Sequence, residues 1–397
     1  MELSKKALQI NPSITLEITA KAAELKAQGI DVLSFGAGEP DFNTPYNIIE
    51  AAFEAMKEGK TKYTKTSGII ELRKAICNKL KKDNNLTYGP DQIVVSTGAK
   101  QSLANIFMAI LNPGDEVIIP TPYWVSYPEL VKMADGVPVF CITEESNDFK
   151  YTLETLKKVT TSKTKAVILN SPNNPTGSIY TEEELKSIAE FAKENDLIII
   201  SDEIYEKLIY DNEKHISIAS LSEDAYNRTV VINGFSKSYA MTGWRVGYSA
   251  SSKKIAKLMG SIQSHMTSNT SSISQYAALE ALEGGQDSIN KMIKEFESRR
   301  NYMSDRLNKI KDISFIKPMG AFYVMVNVGK YYNKEISGNE IKSSLDFSKK
   351  LLEEEKVAVI PGIAFGLDNY IRLSYATSME VINKGIDRIE RFLNKLK

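Results

Sequence analysis

Histidine and cysteine are scarce in this chain of 397 residues, which contains two of each. His215 and His265 are too few for a site built from several imidazoles, and Cys77 and Cys141 lack any C-x-x-C spacing. We therefore expect neither a metal site nor a disulfide framework, and the cysteine usage is consistent with a reducing cytoplasm. If the protein is an enzyme, its proton transfers would fall to lysine, aspartate, glutamate or tyrosine.

Net charge and long apolar runs are also lacking. The 50 basic and 50 acidic residues cancel, and no block of like charge suggests a nucleic-acid or anionic-membrane partner. The longest apolar stretches, such as residues 197–200, are too short to span a bilayer. Residues 1–14 contain no apolar core of a signal peptide. Together these absences predict a cytoplasmic protein that acts on small molecules, without nucleic-acid or membrane partners.

The pattern of apolar residues predicts an α/β fold. From about Glu50 onward, short buried strands alternate with helices, which is typical of a mostly parallel sheet covered by helices. The predicted strands span 92–96, 116–120, 137–142, 166–170, 197–201 and 229–233. The predicted helices span 47–57, 68–83, 101–111 and 181–195, and the last of them begins with the capping-box pattern Thr181-x-x-Glu184.

The chain is long enough for two domains. After a charged helix at 291–309, predicted strands at 321–327 and 370–375 and helices at 345–355 and 381–396 indicate a smaller α+β domain. We expect an N-terminal arm at 1–14, a large domain at 46–294, and a small domain composed of 15–45 and 295–397.

Polar or glycine-rich segments follow four of the predicted strands, where open α/β sheets bind their ligands. These segments are Ser96–Lys100, Asn170–Gly177, Ser201–Tyr205 and Asn233–Lys237. A glycine turn before a helix, as in the first segment, suits a phosphate. Each segment alone also has a purely structural interpretation: Asp202 is also consistent with a helix N-cap, and Lys100 with a solvated residue of a first helical turn.

Three side chains in or near these segments suggest a common chemistry. Lys237 follows a strand end and lies between two serines; a desolvated lysine loses its proton readily and attacks carbonyl groups. Asp202 ends a buried strand, where a carboxylate needs a cation or hydrogen-bond donors. Arg245 offers a forked donor for phosphate. A phosphate cup, a buried acid, a pocket lysine and an arginine together are typical of a pyridoxal 5'-phosphate (PLP) site.

The chain resembles the class I aminotransferases of PLP fold type I, and especially the bacterial aspartate aminotransferases, from the N-terminal arm to the last helix. The resemblance is carried by six segments in the same order and spacing: Gly36–Phe42, Pro122–Pro128, Ser171–Gly177, Ser201–Tyr205, Ser236–Gly247 and Arg372–Ser378. It implies a large domain with a mostly parallel mixed sheet and a smaller α+β domain.

The resemblance also implies the residues that bind PLP. Lys237 would hold the cofactor as a Schiff base and act as the base for the proton shift, and Asp202 would pair with the pyridine nitrogen. Asn174 and Tyr205 would hydrogen-bond the ring oxygen, and Trp124 would stack on the ring. The phosphate would be held by Ser236, Arg245, the amides near Ala99 and Lys100, and Tyr63 of a neighbouring subunit. A homodimer with shared active sites follows from that last contact.

For the substrate, the resemblance implies that Arg372 binds the α-carboxylate and that the Gly38 backbone closes over it, beside Trp124 and Asn174. We find no arginine for a distal carboxylate, but Lys100 with Ser13 and Thr15 offers one ammonium and two hydroxyls. This set favours an aspartate aminotransferase, which converts L-aspartate and 2-oxoglutarate to oxaloacetate and L-glutamate by ping-pong transamination.

Several alternatives remain open at this stage. Trp124 is also consistent with a core residue, Gly38 with a turn glycine, and Tyr63 with an exposed loop. An aromatic or broad-specificity aminotransferase would share the same cofactor residues, as would a C–S β-lyase, although the region around Trp124, Ser126 and Lys100 favours transamination. A PLP-fold transcription regulator would need an additional DNA-binding domain, and the predicted fold begins almost at Met1.

Overall fold

The computed structural model describes residues 2–397 and contains an α/β fold with a central seven-stranded sheet. Its strands are β1 Leu33–Ser34, β2 Ile93–Ser96, β3 Glu116–Thr121, β4 Val137–Ile142, β5 Thr164–Asn170, β6 Ile198–Asp202, β7 Thr229–Gly234, β8 Gly247–Ala250, β9 Ser314–Phe315, β10 Tyr323–Asn327, β11 Glu335–Ile336, β12 Asn339–Glu340, β13 Val357–Ala358, β14 Ile360–Pro361 and β15 Tyr370–Ser374.

Helices cover the seven-stranded sheet on both faces. They are α1 Lys5–Leu8, α2 Ile14–Ala27, α3 Tyr46–Lys57, α4 Ile70–Asn84, α5 Ala99–Ile110, α6 Ser126–Met133, α7 Leu153–Val159, α8 Glu182–Glu194, α9 Glu223–Arg228, α10 Lys253–Met266, α11 Ser272–Glu283, α12 Asp287–Leu307, α13 Ser344–Glu355 and α14 Met379–Lys395. The predicted capping box of α8 is present, because Thr181 Oγ1 accepts from the Glu184 amide and Glu184 Oε2 accepts from the Thr181 amide.

The seven-stranded sheet has the order β2-β8-β7-β6-β5-β3-β4. Only β8 runs antiparallel to its neighbours, so the predicted mostly parallel sheet is confirmed. Strands β2, β6 and β7 are apolar and almost wholly buried between helices, which is typical of a sheet covered on both faces. The carboxyl ends of β5, β6 and β7 therefore lie at one edge, where their following loops meet.

A second, antiparallel sheet has the order β14-β15-β10-β9 and packs with α12, α13 and α14 around its own core. Beside it, β1 pairs in parallel with β13, so a segment near the start of the chain joins one near its end. The division of the chain into an N-terminal arm and two domains, with the boundaries given above, stays a prediction.

Candidate active site

A cavity of about 260 Å³ lies at the carboxyl ends of β5, β6 and β7, against residues from β10 and β15 of the second sheet. It brings together most of the side chains singled out in the sequence: Thr15, Gly38, Ala99, Lys100, Trp124, Asn174, Asp202, Tyr205, Ser236, Lys237, Arg245 and Arg372. The seven-stranded sheet thus supplies Asp202 and the loop that carries Lys237, and the smaller sheet supplies Arg372, which is 2% exposed.

Lys237 follows β7 and points its ammonium group into the cavity, where Nζ donates a 2.5 Å hydrogen bond to the Gly38 carbonyl oxygen. Burial lowers the pKa of Lys237 to about 8; the charge of Glu39 opposes this change, and those of Arg245 and Arg372 reinforce it. An amine with such a pKa is partly neutral near physiological pH. It can therefore act as a nucleophile and as a base.

Asp202 ends β6 and is 4% exposed. Burial raises its pKa to about 6, and two hydrogen bonds limit the rise: the Tyr127 hydroxyl donates to Oδ2 at 2.7 Å and the Ile204 amide to Oδ1 at 3.2 Å. No helix within residues 2–397 begins at Asp202. The carboxylate is therefore a buried acid facing the cavity rather than a helix cap.

The N-terminus of α5 forms an anion cup with Arg245. The amides of Ala99 and Lys100 lie in the first turn of α5, where amides have no intrahelical partner, and Gly98, with a φ of 77°, offers them no side-chain cap. A Cβ on Gly98 would lie 2.6 Å from Arg245 Nη2, and one on Gly247 would lie 2.3 Å from the Ala99 nitrogen. Glycine at both positions lets the guanidinium and the helix N-terminus converge on one point, which suits a phosphate.

Arg372 on β15 is 2% exposed and has no carboxylate within 4 Å among residues 2–397. Its Nη1 donates to Asn174 Oδ1 at 3.1 Å and its Nη2 to the Gly36 carbonyl at 3.2 Å, while Nε has no partner in the described chain. The guanidinium lies over the Tyr323 ring at 4.3 Å. A buried cation without a counter-ion is costly, so this site favours a ligand that brings a carboxylate.

Lys100 and Thr15 also line the cavity. Lys100 Nζ lies 5.0 Å from the centre of the Trp124 ring, and its pKa is lowered by desolvation and by the charge of Arg245. Thr15 Oγ1 is buried without a hydrogen-bond partner in residues 2–397. Ser13 lines an adjoining cavity that also includes Lys100, and its hydroxyl accepts from the Leu16 amide as the N-cap of α2.

Tyr63 lies outside the cavity and is 89% exposed. Within one chain it is therefore not part of the cavity lining. Eight lining residues were missed in the sequence: four are polar, namely Tyr127, Asn170, Thr242 and Tyr323, and four are apolar, namely Leu103, Val125, Ile204 and Phe365. Asn170 ended a predicted strand and Tyr127 lay in a segment that carried the resemblance, so both had a signal, whereas the contact of Tyr323 with Tyr205, 3.1 Å between hydroxyl oxygens, depends on the tertiary fold.

In residues 2–397 no helix combines the length and the apolar character that crossing a bilayer would require.

Comparison with known proteins gives a consistent result. Residues 30–389 match the model of the family "Aminotransferase class I and II". The chain is 52% identical to the aspartate aminotransferase of Bacillus subtilis (strain 168), covering 100% of both chains, and 49% identical to a probable aspartate/prephenate aminotransferase of Aquifex aeolicus, covering 99% of each. The crystal structure of the aspartate aminotransferase from Rhizobium meliloti superposes with a TM-score of 0.96 at 41% identity, covering 100% of both chains. These matches confirm the resemblance and the fold expected from the sequence.

Proposed function

Since this chain belongs to the family of class I and II aminotransferases, we propose that it transfers the amino group of L-aspartate to 2-oxoglutarate with PLP as its cofactor. The products are oxaloacetate and L-glutamate. We also propose that the active unit is a cytoplasmic homodimer and that the site residues act as described below.

One observation carries the proposal: four cationic side chains face the cavity, and none has a carboxylate partner within 4 Å in residues 2–397. They are Lys100, Lys237, Arg245 and Arg372, and Asp202 is the buried acid opposite them. Such an excess of positive charge suits a phosphorylated cofactor together with a substrate that carries two carboxylates.

The residues of the cavity fit PLP. Arg245, Ser236 and the amides of Ala99 and Lys100 would hold the phosphate at the α5 N-terminus. Asp202 would hold a proton on the ring nitrogen, Trp124 would lie against the ring, and Asn174 and Tyr205 would bind the ring oxygen. Bound in this cavity, PLP would supply an electron sink for the pair of electrons left when the substrate loses its α-proton.

Lys237 is the base of the reaction in this proposal. Its pKa of about 8 allows the free amine to accept the proton from the substrate α-carbon. Lys237 would then return this proton to the carbon on the cofactor side of the amino nitrogen. Arg372 fixes the α-carboxylate by a bidentate contact, which orients the α-hydrogen toward Lys237. The 2.5 Å contact of Lys237 Nζ with the Gly38 carbonyl supports a role for that segment in closing over the reacting centre.

Preference for aspartate and glutamate rests on Lys100, Thr15 and Ser13. Lys100 and Thr15, whose hydroxyl has no partner in residues 2–397, line the cavity, and Ser13 lines an adjoining cavity together with Lys100. This set would bind a distal carboxylate less tightly than an arginine fork. Because one group of relatives is named aspartate/prephenate aminotransferase, prephenate is a second amino acceptor to test.

Two features support a homodimer. Tyr63 is almost fully exposed, as expected for a residue that reaches a partner's phosphate. Along α3, the exposed side chains Tyr46, Ile49, Phe53 and Met56 lie on one face of the helix and border a cavity next to Trp244, the neighbour of Arg245. An apolar stripe this close to the site is suited to a second copy of the chain.

The test is to measure transamination between L-aspartate and 2-oxoglutarate and to locate the cofactor by borohydride reduction and mass spectrometry. We expect a yellow protein, an adduct on Lys237, and no turnover in Lys237→Ala. The control is Lys253→Ala, which removes an exposed lysine paired with Asp91 and should keep full activity. Retention of more than a few per cent of activity in Lys237→Ala, or an adduct elsewhere, would overturn the proposal.

A further inference from the structure

Four buried ionisable side chains form a cluster next to Asp202 that takes no part in the chemistry above. It consists of Lys79 on α4, Glu203 and Glu206 after β6, and His215 in the following loop. Their side chains are 7%, 1%, 7% and 8% exposed, respectively. Buried charges of this kind are stable only when they are paired, so the pairing inside the cluster determines its net charge.

Glu203 is the centre of this cluster. Its Oε2 lies 3.0 Å from His215 Nε2, and its Oε1 accepts from the hydroxyls of Ser201 at 2.8 Å and Ser217 at 2.6 Å. Glu206 contacts the ammonium of Lys79 and accepts from the Asn84 amide at 3.0 Å. The two carboxylates and two cations cancel only while His215 carries its proton.

The surroundings favour that proton. Burial lowers the pKa of His215, but Glu203 and then Glu206 raise it, against an opposing effect of Lys79, and the net pKa is raised. Asp83 lies at the rim, 4.0 Å from Lys79 and paired with Lys207. Tyr88, Tyr239 and Tyr248 also face the carboxylates, and burial raises their pKa values, so they stay neutral.

The cluster bears on the cofactor site through Glu203, which is next to Asp202 in the chain. The pKa of Asp202 is affected most by burial and by the hydrogen bonds that Asp202 accepts. The charge of Glu203 has a smaller effect, which also raises this pKa. A carboxylate with no counter-ion at Glu203 would therefore favour protonation of Asp202. The carboxylate oxygens of Glu203 and Glu206 and a ring nitrogen of His215 lie within 4.8 Å of one another, as in a metal site. Glu206 is already paired with the ammonium of Lys79, however, so we do not assign a metal ion to this cluster.

We propose that His215 is a positioning residue of the cofactor site: its imidazolium neutralises Glu203 and so keeps Asp202 ionised for the ring nitrogen of the cofactor. The proposal rests on the proposed function, because it requires a pyridine ring opposite Asp202. His215 touches neither cofactor nor substrate in it and acts only through Glu203.

The experiment measures how the affinity for pyridoxamine 5'-phosphate depends on pH, in the full-length protein freed of cofactor. This probe has the ring and phosphate but an amine in place of the aldehyde, so it does not bond to Lys237. Quenching of the fluorescence of Trp124 and Trp244 reports binding. Affinity should fall as pH drops through the pKa of Asp202, because the ring nitrogen needs an ionised partner.

In His215→Gln we expect the midpoint of that fall to move up by roughly one pH unit. In Glu203→Gln it should stay or move down, and in the double variant it should return to the wild-type value. A matched control is Glu355→Gln, which removes another buried carboxylate, paired with Arg391 and Lys395 far from the site. It should leave the midpoint unchanged.

The outcomes separate the two proposals. Failure of the wild type to bind the probe at any pH would overturn the proposed function itself. Binding with an unchanged midpoint in His215→Gln, or a midpoint that moves up in both single variants, would overturn the role of His215. A loss of affinity that is equal at every pH would mark a merely structural effect and count against it as well. If His215→Gln does not fold, Glu203→Gln alone tests the proposal. An upward move of the pH midpoint in that variant would refute it, because removing the charge of Glu203 should favour ionised Asp202.

Discussion

The hydroxyl of Tyr127 donates a 2.7 Å hydrogen bond to Asp202 Oδ2, and both side chains are buried. Tyr127 belongs to α6 and Asp202 to the end of β6, so the bond joins a helix to the sheet beneath the cavity. It stabilises the ionised form of a carboxylate whose pKa burial raises to about 6. Tyr127 therefore helps to keep Asp202 ionised near neutral pH.

We predict that Tyr127→Phe lowers kcat/KM at pH 7 by about 2- to 15-fold. A hydrogen bond to a charged group contributes roughly 1.5–3 kcal/mol, so its loss raises the pKa of Asp202 from about 6 by about 1–2 units and leaves a smaller fraction ionised at pH 7. The loss should shrink at higher pH, where Asp202 ionises without help. The pH profile of kcat/KM checks this. Tyr123→Phe is the control, since Tyr123 stacks on Phe140 outside the site; an equal loss in both variants would contradict the prediction.

Asp202→Asn should have opposite effects on activity and on stability. The pKa of Asp202 is raised to about 6 from an ordinary 3.8, so the folded protein favours the protonated acid, and this contribution is lost as pH rises through 6. At pH 8 the ionised carboxylate destabilises the cofactor-free fold by up to about 3 kcal/mol, and a neutral asparagine removes part of that cost.

We therefore expect at least a ~100-fold loss of kcat in Asp202→Asn, together with a higher unfolding free energy of the cofactor-free protein at pH 8. Near pH 3.5 the two proteins should have similar stability. Urea unfolding at the two pH values measures the difference. Near-normal turnover, or a variant that is less stable at pH 8, would show that Asp202 has no such role.

Lys100→Ser should reduce kcat/KM for aspartate and glutamate by about 5- to 150-fold, which corresponds to about 1–3 kcal/mol of transition-state stabilisation. The kcat/KM for apolar amino acids should change little. The reason is that Lys100 is a cation that lines the cavity together with Thr15. Steady-state kinetics with aspartate, alanine and tyrosine decide the matter. Equal losses for acidic and apolar substrates, or a wild type that prefers alanine or tyrosine to aspartate, would remove the basis for the assignment.

Gly98→Ala should weaken phosphate binding strongly, because its Cβ would lie 2.6 Å from Arg245 Nη2 at a φ of 77°. We expect at least a ~10-fold loss of PLP affinity, which fluorescence titration measures. Gly260→Ala is the control: it lies within α10 with open space around its Cβ. Unchanged affinity in Gly98→Ala would place the phosphate elsewhere.

Shared active sites lead to a complementation experiment. Lys237→Ala and Tyr63→Ala should each be impaired, but a mixed dimer would contain one site with both Lys237 and the partner's Tyr63. Mixing and refolding the two variants should therefore restore part of the wild-type activity. Activity that never exceeds that of the better parent, or an active monomer at high dilution, would contradict the shared site.

The sequence predicted the parts of the site that follow directly from chain order. Asp202 ends a parallel strand, and Lys237 and Asn174 each follow one. Parallel strands bring their carboxyl ends to one edge, so the meeting of these residues needed no tertiary information. β8 escaped prediction because Gly247–Ala250 is short and lacks β-branched residues. α2 escaped because only Ala22 of its residues is buried, which leaves little periodic signal.

Contacts between distant segments were beyond the sequence. The Tyr127–Asp202 bond and the pairing of His215 with Glu203 depend on how helices and loops pack onto the sheet. Neither residue type identifies its partner by spacing. The missing ion-pair partner of Arg372 is likewise a property of the packed structure, although the resemblance had assigned this residue a carboxylate ligand.

The parallel pairing of β1 with β13 has a consequence for synthesis of the protein on the ribosome. All strands of the seven-stranded sheet lie between residues 93 and 250, so that sheet can form while the rest of the chain is still being translated. Leu33 and Ser34 must wait for Val357 and Ala358, and Arg372 emerges later still. We therefore expect a nascent chain that already holds the cofactor cup and Lys237 but still lacks Arg372, the group that would bind the substrate α-carboxylate.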